Sequence, residues 1–581
     1  MWARTAGGGA VCDAKDVLQR LVIRNFRSLE SLEVEFDPLV ALVGLNGSGK
    51  SSLLRAADIA LGPRYPSLGS FAIPHDFTRL DDTQELTIRA RLDAPVPFRD
   101  KQKKDHEIHG VEVRLAPYKV HTKRGEPGDL HCTYVPLSKD GKPPIVALNI
   151  GKGGPNFGPL TSVPSEVRDA TRALFIDHRR SVTQHQPWTR GSILARLLGP
   201  VRRQLDEIEF EPGISHLQAF SERYQSAMDA LRTSRVQEIE ETISVSARRM
   251  LGFLGSTAIA DLDVRFGFAD PANPFGTLRL NYLEHGLELP AEDLGSGVQS
   301  AIVVGIFEAF RQLGVPVGTV LIEEPEMYLH PQAQRYFHRL LIELVETGQC
   351  QVIYSTHSPI FADVTHFEAL RLVRREPGSM TGVNAVTDDG DRAFLAERRE
   401  AQKLLAFTSA RSEAFFARRV LLVEGVGDVI AIRMLADRQG IDLDAEDLAV
   451  VDCGSKSAIP FVARVCRALG IPVLALHDQD IYEPAGDDDA RAATVAQNEA
   501  ETTLNQLIAE TIGDPENLFV VRPSLEAELG ISVNARDKPR RIAEALHDRG
   551  VRDWPSPVRD ALTSLSIAGF GPDELGSDTA T

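Results

Sequence analysis

The segment that most limits the fold is Leu39-Val40-Ala41-Leu42-Val43 running into Gly44-Leu45-Asn46-Gly47-Ser48-Gly49-Lys50-Ser51. Five apolar residues followed by a glycine-rich turn read as a buried strand. Beyond the turn, Leu53, Leu54, Ala57 and Leu61 share one helical face until Gly62-Pro63 stops the helix. Strand, glycine loop and helix, in that order, are the context in which G-x-x-x-x-G-K-[ST] carries meaning. Glycines let successive backbone N–H groups wrap a phosphate chain, and the helix N-terminus favours its negative charge. Lys50 is then expected at the β- and γ-phosphates and the Ser51 hydroxyl on Mg²⁺, with Gly44, Asn46, Gly47, Gly49 and Ser52 completing the cradle. ATP is the expected ligand.

At 581 residues the chain is too long for one ordinary core, so two to four domains are expected. With 43% hydrophobic and 25% charged residues it has the composition of a folded, soluble protein. No stretch approaches the roughly 18 apolar residues that span a bilayer, and Met1 to Ala10 lacks the apolar centre of a secretory signal. Cys12, Cys132, Cys350, Cys453 and Cys466 form no C-x-x-C pair, which speaks against a disulfide framework and a structural zinc. A cytoplasmic location is expected. The net charge of −18 argues mildly against a nucleic-acid partner, but it averages over faces and includes any acids gathered at a metal site. Basic runs such as Arg202-Arg203, Arg248-Arg249, Arg418-Arg419 and 536–541 read mostly as solvated faces.

Along the chain, 21–23 and 32–36 alternate as strands, 86–134 is strand-like, and 152–160 reads as a Gly/Pro/Asn loop. The stretch 167–254 is helical in pattern, broken at Glu211-Pro212-Gly213 and without sustained heptads. Strands at 262–268 and 278–282, a helix at 300–313, a strand at 319–322, another helix and a strand at 351–354 give an α/β alternation. The polar stretch 374–399 reads as a linker. A second α/β unit comes next, with strands at 420–423, 448–451 and 472–476, and the tail from Gly569 is short and polar.

Val320-Leu321-Ile322-Glu323-Glu324-Pro325 is an apolar strand ending in two carboxylates, a pair suited to holding Mg²⁺ and orienting a water. Leu294-Gly295-Ser296-Gly297-Val298-Gln299 precedes it and Ser355-Thr356-His357-Ser358 lies after it. In this order the three segments resemble the signature loop, Walker B strand and switch histidine of ABC-type ATPases. The resemblance makes Glu323 the Walker B acid, Glu324 the catalytic base and His357 the γ-phosphate sensor. It departs from the pattern in having Glu323 for Asp and Val298 for the second signature glycine, and no Q-loop glutamine is placed. Because a signature loop acts on nucleotide held by another protomer, Ser296 and Gly297 imply a head-to-tail dimer.

The second unit carries its own acids. Val420-Leu421-Leu422-Val423-Glu424-Gly425-Val426-Gly427-Asp428 is a buried strand, a glycine turn and two carboxylates, and the strand at 472–476 leads to Asp478-Gln479-Asp480. Parallel strands deliver their C-terminal residues to one sheet edge. Four acids gathered there repel one another unless cations intervene, and oxygen ligands suit Mg²⁺ or Mn²⁺. Asp428 taken alone reads better as a helix cap.

This Glu-Gly…Asp-x-Asp arrangement resembles the TOPRIM domain of topoisomerases, primases and certain nucleases. An ABC-type ATPase followed by TOPRIM resembles the OLD (overcoming lysogenization defect) nucleases, with which Gabija-type phage-defence nucleases are grouped. Glu323-Glu324-Pro325-Glu326 with Leu329-His330-Pro331, Phe415-Phe416-Ala417, Leu525-Glu526-Ala527-Glu528 and Lys538-Pro539 carry that likeness. It implies an ATP-dependent, metal-dependent DNA endonuclease in phage defence or DNA repair. Glu424, Asp428, Asp478, Asp480 and Glu526 (or Glu528 in its place) would be metal ligands, and Lys538 would offset charge on the cleaved phosphate. It further implies an ATPase domain at 18–165 and 257–395, a helical dimerisation insertion at 166–256, a TOPRIM domain at 412–568 and a flexible tail at 569–581. A homodimer or larger even-numbered assembly is expected, a helicase partner is possible, and no membrane is involved. Phe175-Ile176-Asp177-His178-Arg179-Arg180 resembles a family arginine segment near the ATP site. Two other readings stand beside this one. Strand passage or primer synthesis would also use TOPRIM, but a topoisomerase needs a nucleophilic tyrosine, and Tyr482 comes too soon after Asp480 to serve. The other is an SMC-like repair ATPase whose TOPRIM binds DNA without cutting it.

Overall fold

The computed structural model describes residues 18–121, 125–151, 154–180, 182–187, 192–198, 233–253, 262–268, 278–284, 287–314, 318–375, 381–405, 409–532 and 536–567. They divide into two compact units, the first running to Phe361 with Val373–Val383 added and the second made chiefly of residues from Asn384 onward.

In the first unit, the phosphate-loop strand Leu39–Val43 lies in a sheet beside Cys350–Ser355, then Gly318–Glu323, then Leu174–Ile176, all four parallel. Their register aligns the strand ends. Leu42 stands opposite Ser355, Ser355 opposite Glu323, and Ile322 opposite Ile176, so the chain leaves all four strands at one edge. The cores of these strands are fully buried, as expected where helices cover both faces of a parallel sheet. A five-stranded antiparallel sheet, in the order Leu29–Glu35, Leu18–Phe26, Leu86–Arg99, Asp105–Pro117, Leu130–Leu137, shares a hydrophobic core with helix Lys50–Leu61.

Helices Ser234–Phe253 and Ser296–Leu313 approach closely at Gly305, where an added Cβ would stand 2.8 Å from the Ile243 carbonyl oxygen. A side chain there has to push two helix backbones apart. Gly305→Val is expected to cost about 1–3 kcal/mol, read as a lower unfolding midpoint in urea with an unchanged slope.

The second unit holds four parallel strands in the order Leu448–Asp452, Arg419–Val423, Val473–Asp478, Leu518–Val521. Helices Val426–Gln439, Lys538–His547 and Ser556–Ile567 contribute to a core containing Leu421, Leu474, Leu476, Leu435, Ile542, Trp554 and Leu562.

Three sequence expectations need correction. Leu174–Ile176 is a strand inside the stretch read as helical, recruited by pairing with Gly318–Glu323. Gly154–Pro159, read as loop, pairs antiparallel with Ile145–Gly151 in a two-stranded ribbon, where backbone bonding does not need bulky side chains. Within the supposed linker, Asp389–Leu405 is a helix with Asp389 and Asp391 in its first turn. It is held by buried Leu395, by the Arg464–Asp391 pair at 3.3 Å and by Arg464 stacked 3.9 Å from the Phe394 ring. Residues 199–232 of the expected insertion, Arg202-Arg203 among them, and the tail from Gly569 lie outside the described residues.

Candidate active sites

The phosphate loop takes the shape its glycines permit. Gly44, Gly47 and Gly49 have φ of 137°, 73° and 112°, conformations that L side chains rarely adopt. At Gly49 an added Cβ would also meet the Ser28 Oγ at 3.0 Å and the Thr381 Cγ2 at 3.1 Å. The Thr381 hydroxyl donates to the Ser48 carbonyl at 3.1 Å, pinning the loop from behind. Helix Lys50–Leu61 begins directly at the loop, so its first N–H groups, with Ser51 and Ser52, point where phosphates would lie. Lys50 is buried, and burial lowers its pKa to about 8 against the opposing pull of the Glu324 and Glu326 charges.

Glu323 ends its strand 3.3 Å from the His178 Nδ1. Glu324 comes next with φ of 47°, a left-handed turn for a non-glycine residue, held by its N–H donating to the Ser355 carbonyl at 2.9 Å. Strain of this kind persists where surrounding structure enforces it, and often at functional sites. Glu326, given no role by sequence, and Arg180, of the arginine segment expected near the ATP site, tie the site together. Glu326 accepts the Thr356 hydroxyl at 2.9 Å and the His357 N–H at 2.6 Å, joining the turn after one strand to the turn after its neighbour. Arg180 is 1% exposed and donates to the Glu324 carbonyl at 2.5 Å, with its guanidinium carbon 5.9 Å from the Phe337 ring centroid. Burial lowers its pKa to about 10. The adjacent strand Leu174–Ile176 delivers the arginine segment Asp177 to Arg180 to this edge. His357 is half-buried and held below the usual histidine range by burial first and by the Lys50 charge second.

Ser296 and Gly297 open helix Ser296–Leu313. Gln299 is a structural lock there. Its amide donates to the Glu292 and Leu294 carbonyls at 3.0 and 2.7 Å and accepts the Val182 N–H at 3.0 Å.

In the second unit each expected acid sits at the C-terminal sheet edge. Glu424 directly succeeds Arg419–Val423 and accepts the Asp478 N–H at 2.7 Å. Asp478, the last residue of its strand, accepts the Leu525 N–H at 2.9 Å. Asp428 is the third residue of Val426–Gln439, not its N-cap, and reaches back to accept the N–H of the N-cap Gly425 at 3.1 Å. The carboxylates are also close enough to work against one another. Burial first, then the charges of Asp428 and Asp480, push Glu424 up to about 8. Asp428 and Asp478 also rise to about 8, again from burial first, with Asp478 and Glu424 respectively as the leading like charges. Glu526 repels both Asp428 and Asp478 and pairs with Lys538 at 3.0 Å, whereas Glu528 in the same short helix is exposed.

Among the described residues no three acidic, histidine or cysteine side chains already form an ion cage. Several of these carboxylates spend an oxygen on a backbone N–H or a lysine. The donor set nevertheless fits a hard divalent cation. It is all oxygen, it comes from two neighbouring strand ends and the segment after a third, and its mutual repulsion is what such a cation relieves. Glu424, Asp428, Asp478, Asp480 and Glu526 are the residues that could hold it. The Tyr482 hydroxyl lies 3.4 Å from Asp480 Oδ1, a partner of the carboxylate rather than a separate nucleophile.

Sequence reasoning missed Lys456, whose ammonium contacts Asp480 Oδ2 at 3.1 Å and Glu501 Oε2 at 2.7 Å. The signal was its place: it comes four residues after the strand Leu448–Asp452, at the edge where the acids collect. No helix among the described residues is long and apolar enough to cross a membrane.

Residues 39–363 match the family described as AAA domain, putative AbiEii toxin, Type IV TA system. Residues 415–480 match the family described as Overcoming lysogenization defect protein-like, TOPRIM domain. The chain is 47% identical over 552 residues to the OLD nuclease of Thermus scotoductus, covering 94% of this chain and 98% of that protein. It is 22% identical over 612 residues to the Old nuclease of Escherichia phage P2, covering 97% of this chain and 94% of that one. Among solved structures, the SmcHead bound to the C-winged helix domain of ScpA aligns with 64% of this chain and 98% of its own at 16% identity and a TM-score of 0.35, too low to carry an argument. A phosphate loop on one parallel sheet, an acid-edged parallel sheet after it, and relatives alike over nearly their whole length lead to one conclusion: the chain belongs to the OLD nuclease family, an AAA/ABC-type ATPase domain followed by a TOPRIM domain.

Proposed function

We propose that this protein is an ATP hydrolase and a divalent-metal-dependent DNA endonuclease, the two reactions running at separate sites, and that it serves phage defence or DNA repair. The observation that carries the nuclease half is the carboxylate group at the second sheet's edge, where burial and mutual repulsion leave Glu424, Asp428 and Asp478 in need of positive charge. Mg²⁺ or Mn²⁺ bound there supplies water activation and charge neutralisation for phosphodiester hydrolysis. Glu424, Asp428, Asp478 and Asp480 hold one ion, and Glu526 contributes to a second. Lys538, beside Glu526, offsets the negative charge that builds on the phosphate under attack.

In the ATPase half, Lys50 and the loop N–H groups bind the β- and γ-phosphates. Ser51 and Glu323 hold Mg²⁺, Glu324 orients the attacking water and His357 contacts the γ-phosphate. Glu326 and Arg180 keep Glu324 and His357 in register with each other, as their hydrogen bonds support. Ser296 and Gly297 act on the nucleotide of a second copy, so the working form is a homodimer or a larger even-numbered assembly, with the 166–256 insertion contributing to contact. Light scattering at micromolar concentration is expected to give at least twice the 63.7 kDa chain mass. A strict monomer with and without a non-hydrolysable ATP analogue would contradict the trans role.

The test of the functional reading measures two products in one reaction, inorganic phosphate and nicked plasmid, with Mg²⁺ and then Mn²⁺. Both products are expected. Phosphate without any cut DNA would favour a TOPRIM domain that binds DNA and leaves it intact.

A further inference from the structure

We propose that Lys456 and one face of helix Asp488–Ile512 form a clamp that positions Asp480 to receive its metal ion. The inference rests on the nuclease reading of the carboxylate edge and adds to it a set of residues that do not touch metal or substrate.

Asp480 needs such help. It stands beyond its strand with φ of 57°, a left-handed conformation that a non-glycine residue keeps only when its surroundings enforce it. Its N–H donates to the Pro523 carbonyl at 2.8 Å, which anchors the backbone on one side. The other side is held by the clamp. Lys456, 6% exposed, donates to the Gln479 carbonyl at 3.3 Å, to Asp480 Oδ2 at 3.1 Å and to Glu501 Oε2 at 2.7 Å. Asn498 exchanges two bonds with the Tyr482 backbone, accepting its N–H at 3.1 Å and donating to its carbonyl at 2.7 Å. The Asn505 amide donates to the Gln479 carbonyl at 2.9 Å.

Asn498, Glu501 and Asn505 are spaced three and four residues apart, so they share one face of the helix. That face does little else. The first buried residue of this helix is Ile508, twenty positions after its start, so apolar packing secures only the far end. Polar bonds from Asn498 and Asn505 to residues 479–482 hold its middle. With Oδ2 taken by Lys456, Oδ1 is the oxygen left for an ion, and among the described residues it meets only the Tyr482 hydroxyl, at 3.4 Å. Groups that orient a metal ligand in this way set the affinity of the ion they never touch.

A competing physical effect has the opposite sign. Lys456 also brings a positive charge that repels an incoming cation, so loss of a charge alone tightens metal binding, whereas loss of positioning weakens it. Mn²⁺ binding to the full chain without nucleotide, monitored by electron paramagnetic resonance, separates the two. The Asp478→Asn variant supplies the blank for the TOPRIM site, and an unchanged urea-unfolding midpoint of the second unit reports that each variant is folded. Lys456→Met and the charge-neutral pair Asn498→Ala/Asn505→Ala are each expected to weaken Mn²⁺ binding about tenfold or more. Each should raise the metal concentration for half-maximal nicking in parallel, and Lys456→Arg should restore most of the loss. Tighter Mn²⁺ binding in Lys456→Met, or unchanged affinity in the asparagine pair, overturns the clamp alone. Wild type and Asp478→Asn binding Mn²⁺ alike, with no nicking by either, takes down the nuclease reading and the clamp with it.

Discussion

Glu324→Gln is expected to slow ATP hydrolysis at least about a hundredfold while leaving nucleotide affinity within a fewfold of wild type. The change keeps shape and hydrogen bonding and removes only the negative charge proposed to orient and deprotonate water. Binding depends on other groups, namely the loop N–H donors, Lys50 and Ser51. The backbone at Glu324 is held by Ser355 and Arg180 through main-chain atoms, so the amide variant loses neither contact. Phosphate release and fluorescent-nucleotide binding, measured on the same preparation, separate the two effects. Equal turnover in both proteins would remove Glu324 from the role of base. Lost binding would mean that the substitution has disturbed the loop.

Asp478→Ala carries the second large effect: plasmid nicking should fall at least about a hundredfold, with ATP hydrolysis within about twofold of wild type. Asp478 stands at the centre of its group. It ends its strand between the strands that lead to Glu424 and to Ser524-Leu525-Glu526. Its own N–H and carboxylate bond to Glu424 and Leu525. Alanine removes a proposed metal ligand and the acceptor of the Leu525 N–H, while the backbone bond to Glu424 survives. Lys50, Glu323, Glu324 and His357, the proposed ATPase residues, belong to the other compact unit. Nicking that persists in this variant would place the cleavage site elsewhere.

How much of each site is legible in the residues depends on where the information lies along the chain. Both sites are built at the C-terminal ends of buried strands, and such strands announce themselves as apolar runs stopped by glycine or acid. Gly44 to Ser51, Glu323-Glu324, Glu424 and Asp478 can be found for that reason alone, and the structure brings them to two sheet edges. Leu174–Ile176 cannot, because three residues carry no period and its identity as a strand comes from pairing with Gly318–Glu323 far along the chain. Helix Asp389–Leu405 is hidden by a turn-like Asp-Asp-Gly-Asp opening that in fact supplies the acids of its first turn.

Lys456, Asn498, Glu501 and Asn505 belong to the same class of omission. Each is an ordinary polar residue until a long helix folds back over Gln479 and Asp480, and no local spacing encodes that return. Glu326 is visible in its motif, but its bond to His357 depends on two strands lying side by side. The choice between Glu526 and Glu528 likewise needs the geometry: the former faces Asp428 and Asp478, and the latter faces solvent.

Carboxylates at the TOPRIM sheet edge are expected to cut DNA through a bound divalent ion, and every functional proposal for the second unit depends on that chemistry. Supercoiled plasmid incubated with the wild-type chain in Mn²⁺, in Mg²⁺ and in excess EDTA, alongside Asp480→Ala, tests it most directly. Nicked or linear DNA should appear with wild type in at least one of the two metals and be absent both in EDTA and with Asp480→Ala. Cleavage that survives EDTA or the Asp480→Ala change would contradict the metal-dependent site.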